Sequence, residues 1–313
     1  MSWRGSASNG EIQTQRNVPN MNVPSINELL QYWRELEVVS DTARLDAELM
    51  LCDILQVDRT YLYTWSERLP TDEQVEKFLT HLARRKSGEP IAYILGQREF
   101  WSFMLEVNSS TLIPRPETEL LVELALTLEL AAKSSARDHI RVLDLGSGTG
   151  AISLALASER PNWSVLGVDI NADAVELAIR NQKKIGMTNV EFLQSDWFSA
   201  IGTQAPLRGD CFDLIVSNPP YVAQSDPNLA VGDVRFEPRQ ALISGADGLD
   251  DIRKIIKDCN EYLLPGGWLI LEHGYNQGAS VRELFSIYLY ENIKTERDLA
   301  ELERVTMAMK RSR

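Results

Sequence analysis

From Ser25 onward, apolar residues recur at helical spacing. Leu29, Leu30, Trp33 and Leu36 share one face, and Ser25 and Glu28 ahead of them have the spacing of a capping box. The pattern predicts a second helix through Leu45, Leu49, Cys52 and Leu55. A third begins at Thr71 with Gln74 three residues on, turns Val75, Phe78, Leu79 and Leu82 inward, and stops at Ser87-Gly88-Glu89-Pro90. Residues 23–90 are thus expected to form a small all-helical domain. Over residues 91–116 the period changes. Phe103, Leu105 and Val107 alternate with polar neighbours, Gly96 offers a turn, and Pro114 and Pro116 break any helix, which reads as a β-hairpin connector.

A helix from about Glu117 to Lys133 then leads into short apolar runs separated by amphipathic helices. Strands are expected at IRVLDL, VLGVDI, VEFLQ and FDLIVSN, with helices over 151–159 and 173–185 between them. A helix near 251–263, a strand over 268–272, a further helix and two strands ending near Met309 complete the pattern. Such alternation is that of a doubly wound α/β domain, here over residues 117–313.

Composition narrows the class. The 313 residues allow one or two domains, 44% hydrophobic and 25% charged residues are those of a globular chain, and charges interrupt every apolar stretch before the roughly 18 residues a spanning helix needs. With 45 acidic against 32 basic residues the net charge is −13, so no direct nucleic-acid binding is expected. Cys52, Cys211 and Cys259 are scattered and odd in number, and only His81, His139 and His273 accompany them, which predicts reduced thiols and no metal site. Residues 1–22 lack the apolar core of a secretory signal and read as a disordered tail. Met21 offers a later start, and Arg4 and Arg16 against the lone Glu11 leave a transit segment as the other reading.

Candidate chemistry begins at Asp144-Leu145-Gly146-Ser147-Gly148-Thr149-Gly150, where a strand passes through glycines directly into a helix, so that backbone can approach a ligand closely. The spacing is G-x-G-x-G rather than the G-x-G-x-x-G that seats a dinucleotide pyrophosphate, and a smaller nucleoside ligand fits it better. Asp169 ends the next strand, 23 residues beyond Gly146, where an acid can accept from both ribose hydroxyls. After the third strand, Asp196 is placed to accept from an exocyclic amine and Trp197 to cover a purine face, a contact of about 1–3 kcal/mol.

The fourth strand ends in Asn218-Pro219-Pro220-Tyr221, at the sheet edge where open α/β folds bind ligands. Two successive prolines fix the backbone and remove two N–H donors, so only acceptors face the site. The Asn218 side-chain oxygen and the Pro219 carbonyl can each take one hydrogen of a planar NH₂ group, with Tyr221 against its flat face. This suits an amide or aniline-type nitrogen, which the acceptors orient and whose growing positive charge they stabilise as it attacks a methyl on a sulfonium.

Together these residues look like those of an S-adenosylmethionine (SAM) dependent N-methyltransferase. The chain resembles the HemK/PrmC family of protein glutamine N5-methyltransferases, which modify peptide chain release factors. The resemblance runs from about Asn27 to Met309 and is carried by Gly88-Glu89-Pro90-Ile91, Leu112-Ile113-Pro114-Arg115-Pro116-Glu117-Thr118-Glu119, the glycine loop, Ser195-Asp196-Trp197, Asn218 to Tyr221, and Asp233-Val234-Arg235-Phe236-Glu237-Pro238. It implies a Rossmann-like SAM-dependent methyltransferase domain, with Gly146, Ser147, Gly148, Thr149, Gly150, Asp169, Trp197 and Asn218 holding S-adenosyl-L-methionine. It also implies that Asn218, Pro219, Pro220 and Tyr221 hold the glutamine of a Gly-Gly-Gln loop, and that the helical domain helps dock the release factor. A cytoplasmic monomer is expected. Two other substrates share the tetrapeptide chemistry: a glutamine in a large-subunit ribosomal protein, and adenine in nucleic acid. The connector favours release factors, and adenine would call for basic surfaces. Arg115, Glu117 and Glu119 fit either the cleft wall or a capped helix start, and Arg235 and Glu237 fit either substrate contact or a surface pair. The sequence departs from the family near its end, where Ala300-Glu301-Leu302-Glu303-Arg304 replaces a Gly- and Asn-containing turn.

Overall fold

The computed structural model describes residues 23–128, 130, 139–201 and 212–312; the tail expected over 1–22, and Cys211, lie outside them. The chain divides into two compact units, one reaching to Glu37 and including Thr42–Leu82, the other comprising Val38–Asp41 and the chain from Ala83 onward.

The first unit is helical. Ser25 and Glu28 form the expected capping box at the start of α1 (Ile26–Leu30), which tightens into a 3-10 turn over Gln31–Leu36. Helices α2 (Ala43–Leu55), α3 (Arg59–Thr64) and α4 (Asp72–Lys86) follow, the last opened by reciprocal bonds between Thr71 and Gln74. Ile26, Leu29, Leu36, Met50, Leu51, Leu62 and Phe78 make its core. Two expectations change here. On α4, Phe78 and Leu82 are buried but Leu79 is 42% exposed, lying outside the buried stripe. On α2 the buried face is Ala43, Ala47, Met50 and Leu51 rather than the Leu45 side. It carries Glu48, whose carboxylate is held by Arg44, Arg59 and Tyr63, as a buried charge requires.

The second unit opens with α5 (Ile91–Leu95), which sequence patterning missed, and the hairpin β1 (Gln97–Phe100) and β2 (Phe103–Glu106). Gly96 caps α5 in the left-handed region instead of turning the hairpin. A 3-10 turn at Pro116–Thr118 starts α6 (Glu119–Thr127). The alternation then appears as β3 (Arg141–Leu145), α7 (Ala151–Glu159), β4 (Ser164–Asp169), α8 (Ala172–Ile185), β5 (Val190–Gln194), β6 (Phe212–Ser217), α9 (Asp250–Tyr262), β7 (Leu263–Glu272), α10 (Gly278–Ile287), β8 (Glu291–Arg297) and β9 (Glu303–Met309). The seven-stranded sheet has the order β5-β4-β3-β6-β7-β9-β8, with β9 antiparallel to its neighbours. It is the doubly wound α/β sheet expected, with an antiparallel end. Strands β3 and β6 are buried along their whole length, as strands covered on both faces should be. Strand order reverses between β3 and β6, the switch point at which such sheets bind ligands. The β8–β9 turn closes without glycine: Asp298 accepts the Ala300 and Leu302 N–H groups, and Glu301 takes a φ of 61°.

Candidate active site

At the carboxyl ends of β3 to β6 lies a cavity of about 410 Å³, in the size class of small-ligand sites. Among the residues singled out by sequence, Gly146, Ser147, Gly148, Thr149, Asp169, Trp197, Asn218 and Pro220 line it, while Gly150, Pro219 and Tyr221 are not on its wall. Gly150 stands at the start of α7 with φ +81°, and a Cβ there would meet the Phe192 ring at 2.8 Å and Ala178 at 3.2 Å. It is therefore the close helix–sheet contact, more than any ligand, that demands glycine at this position.

The glycine loop is tied down from two sides. Asp169 accepts the Gly148 and Asn171 N–H groups, each at 2.9 Å, and burial pushes its carboxyl above the ordinary range. Fully buried Asn181 donates to the Thr149 carbonyl at 3.0 Å and exchanges hydrogen bonds with the Glu106 backbone, joining the loop to the hairpin. Trp197 takes a φ of 49°, an uncommon conformation for so bulky a side chain, with its carbonyl held by the Ser195 hydroxyl at 2.8 Å. Its ring lies over Gly146, 3.7 Å from where a Cβ would stand. Asp196 pairs with Lys254 at 3.1 Å on the same wall. The Ser147 and Thr111 hydroxyl oxygens line this cavity, buried and without a hydrogen-bond partner, so the pocket is equipped for a ligand with polar groups. A nucleoside bearing an amino-acid chain fits that donor set.

At the tetrapeptide, the Asn218 amide nitrogen donates to Thr118 Oγ1 at 3.1 Å, and its oxygen is buried with no partner in the protein. The Tyr221 hydroxyl donates to Glu272 at 3.2 Å, its carbonyl accepts from Gln277 at 3.0 Å, and Ser217 just before the turn donates to Leu145 at 2.7 Å. Burial and the Glu272 charge push the Tyr221 hydroxyl well above its usual range, so it stays protonated. Glu237 accepts the Ile113 N–H at 3.2 Å and pairs with Arg115, Asp233 pairs with Arg85 at 2.9 Å, and Arg235 donates to the Ser87 carbonyl at 3.1 Å. These bonds bind the loop after the tetrapeptide to the connector and to the end of α4, so Arg115, Arg235 and Glu237 have partners inside the fold. Thr111, Thr118, Lys254 and Glu272 were not singled out for the site by sequence patterning. For Thr118 the only cue was its place in the Pro-Glu-Thr-Glu stretch, and for Glu272 its place at a strand end.

Among the described residues no group of three or more His, Cys, Asp or Glu could hold a metal ion, and no helix is long and apolar enough to cross a membrane. A family model described as "PrmC N-terminal domain" matches residues 28–96, and one described as "Methyltransferase domain" matches 136–304. The chain is 53% identical to the release factor glutamine methyltransferase of Pseudomonas aeruginosa over 86% of its length and 93% of that protein. To the enzyme of the same name from Aliivibrio fischeri it is 49% identical, covering 86% of this chain and 90% of the other. The chain belongs to the release factor glutamine methyltransferase family. As a member it is a methyltransferase, and S-adenosylmethionine is its cofactor. The fold of this release factor glutamine methyltransferase family member is also that of the hMettl16 catalytic domain, solved in complex with MAT2A 3′UTR hairpin 6, at a TM-score of 0.50, 16% identity, and coverage of 78% of this chain and 84% of the other.

Proposed function

We propose that the protein transfers a methyl group from SAM to the side-chain amide nitrogen, N5, of the glutamine in the Gly-Gly-Gln loop of peptide chain release factors. The observation that carries this reading is the unpartnered, buried Asn218 oxygen beside a Pro-Pro backbone that offers no donor. A site of acceptors alone selects a group with two hydrogens to give.

The cofactor supplies an electrophilic methyl carbon on a sulfonium centre. Gly146 to Thr149, Asp169 and Trp197 would hold it, with the Asp169 carboxylate as acceptor for the ribose hydroxyls. Asn218 and the Pro219 carbonyl each accept one hydrogen of the glutamine NH₂, fixing its plane, while Tyr221 bounds its flat face. Those acceptors oppose the positive charge that develops on the nitrogen, so no strong base has to act beforehand, and the nitrogen gives up one of its two protons to solvent after the methyl has transferred. The helical unit docks the protein substrate, and the enzyme works as a cytoplasmic monomer. The net charge of −13 supports a protein over a nucleic acid as partner.

The test is incubation of unmethylated release factor with the protein and SAM, followed by peptide mapping by mass spectrometry, with an adenine-rich oligonucleotide and unmethylated ribosomal proteins in parallel. One methyl on the Gly-Gly-Gln glutamine is the expected result. Transfer to adenine or to a ribosomal protein alone overturns the substrate and leaves the cofactor site standing.

A further inference from the structure

On the glycine-loop side of the cavity the hydroxyls of Thr111 and Ser147 are left without partners. Thr111 is 2% and Ser147 7% exposed, both line the cavity, and neither hydroxyl oxygen has a hydrogen-bond partner among the described residues. They come from different segments. Ser147 belongs to the glycine loop, where its N–H and that of Gly146 donate to the Val168 carbonyl at 2.9 and 2.8 Å. Thr111 belongs to the connector after β2, and its Cβ stands 3.9 Å from the place a Cβ on Gly148 would take. We infer that Thr111 and Ser147 together form the subsite for the carboxylate at the amino-acid end of the cofactor. This concerns the cofactor alone and stands whichever acceptor is methylated.

The location follows from the order of the strands. Asp196 and Trp197 follow β5, Asp169 ends β4 and the glycine loop follows β3, and these strands are neighbours in the order β5-β4-β3. A ligand with its base at β5 and its ribose at β4 carries its amino-acid end to β3, where the hydroxyls lie. The sign of the charge follows from α7. Ala151 and Ile152 of its first turn line the cavity, and among the described residues no side chain caps the helix. Its free N–H groups and macrodipole favour a negative group at that end. A carboxylate offers only lone pairs, to which each hydroxyl can give its one hydrogen in a charge-assisted bond. Arg115 and Lys254 on the cavity wall are already paired, with Glu237 and Asp196 respectively.

Thr111 is held in place before a ligand arrives. The Tyr93 hydroxyl donates to the Thr111 carbonyl at 2.7 Å, and Asn171, whose own N–H donates to Asp169, donates through Nδ2 to the Ser110 carbonyl at 3.0 Å. Little ordering of the connector therefore remains to be done on binding. A buried hydroxyl without a partner is unfavourable in the free protein, and a cavity wall that keeps a pair of them points to a ligand group that completes both.

The experiment measures, by calorimetry, the affinity of wild type, Thr111→Val, Thr111→Ser and Ser147→Ala for SAM and for decarboxylated SAM. The second ligand keeps the base, ribose, sulfonium and ammonium and lacks only the carboxylate. Wild type is expected to bind SAM about tenfold or more tightly than the decarboxylated form. Thr111→Val and Ser147→Ala are expected to lose about tenfold in affinity for SAM but less than about twofold for the decarboxylated form, whereas Thr111→Ser, which keeps the hydroxyl, stays within about threefold of wild type for both. Because Thr111→Val removes only an unpaired hydroxyl, the ligand-free variant should melt at or above the wild-type temperature. Equal losses for the two ligands, no loss for SAM, or a wild type indifferent to the carboxylate overturns the subsite. So does a Thr111→Val protein that melts well below wild type, which would make the hydroxyl structural. If Ser147→Ala does not fold, the variants of Thr111 decide alone. No methyl acceptor enters these measurements, so their outcome and that of the release-factor assay are independent.

Discussion

Asn218 and Asp169 are proposed to do different kinds of work, and their removal should be told apart by separate measurements. Asn218→Ala deletes one preorganised acceptor and is expected to lower the rate of methyl transfer by about a hundredfold or more while calorimetry still detects SAM binding; full turnover would remove the amide clamp. Asp169→Ala takes away the proposed ribose acceptor and also releases the Gly148 and Asn171 N–H groups. SAM affinity is expected to fall by about tenfold or more, and an unchanged dissociation constant would take Asp169 out of the cofactor site. Both residues were legible in the sequence because each sits at a strand end beside a local signal, a glycine loop or a Pro-Pro turn. Thr118 and Glu272 carry no such signal. They meet Asn218 and Tyr221 only through the packing of segments 100 and 51 residues apart, which no spacing rule encodes.

Elements whose boundaries are written in local chemistry were read from the sequence closely. The capping boxes at Ser25 and Thr71 start helices where the letters require, because the bonds that define them span three residues. Burial faces were read less well: Leu79 is exposed and Glu48 buried, since the side a helix hides depends on what packs against it. At the junction of β3 and α7, Gly150→Ala forces a Cβ into the Phe192 ring at a positive φ. The expected cost is about 1–3 kcal/mol in urea unfolding, and an unchanged midpoint would show that Phe192 yields freely.

For the whole molecule, buried carboxylates set a pH dependence. Burial raises Asp144 from 3.8 to about 7, with Asp169 adding repulsion and the Ser153 hydroxyl, at 2.6 Å, partly offsetting it. The folded chain therefore holds a proton that the unfolded chain releases, so this group's contribution to stability falls as pH rises from about 4 to about 7 and is flat above. Asp144→Asn removes that slope. Relative to wild type its stability should rise across the same window, by a few kcal/mol at most, and melting temperatures that run parallel from pH 4 to pH 8 (roughly the span of the window) would contradict the buried-charge account.

Unlike α3 and α5, the order of helices and strands from Glu119 onward, the glycine loop, the acid at the end of β4 and the Asn-Pro-Pro-Tyr tetrapeptide were all determined by the sequence alone. Each depends on residues close together in the chain, through backbone freedom at glycine, the donors missing at proline, and the period of apolar side chains. Only the tertiary structure decided that Thr118 meets Asn218, that Glu272 backs Tyr221, and that the loop after the tetrapeptide is fastened to the connector by Glu237 and to the end of α4 by Arg235 and Asp233. Those bonds join distant segments, and they exist because burying a polar group costs free energy unless the fold brings it a partner.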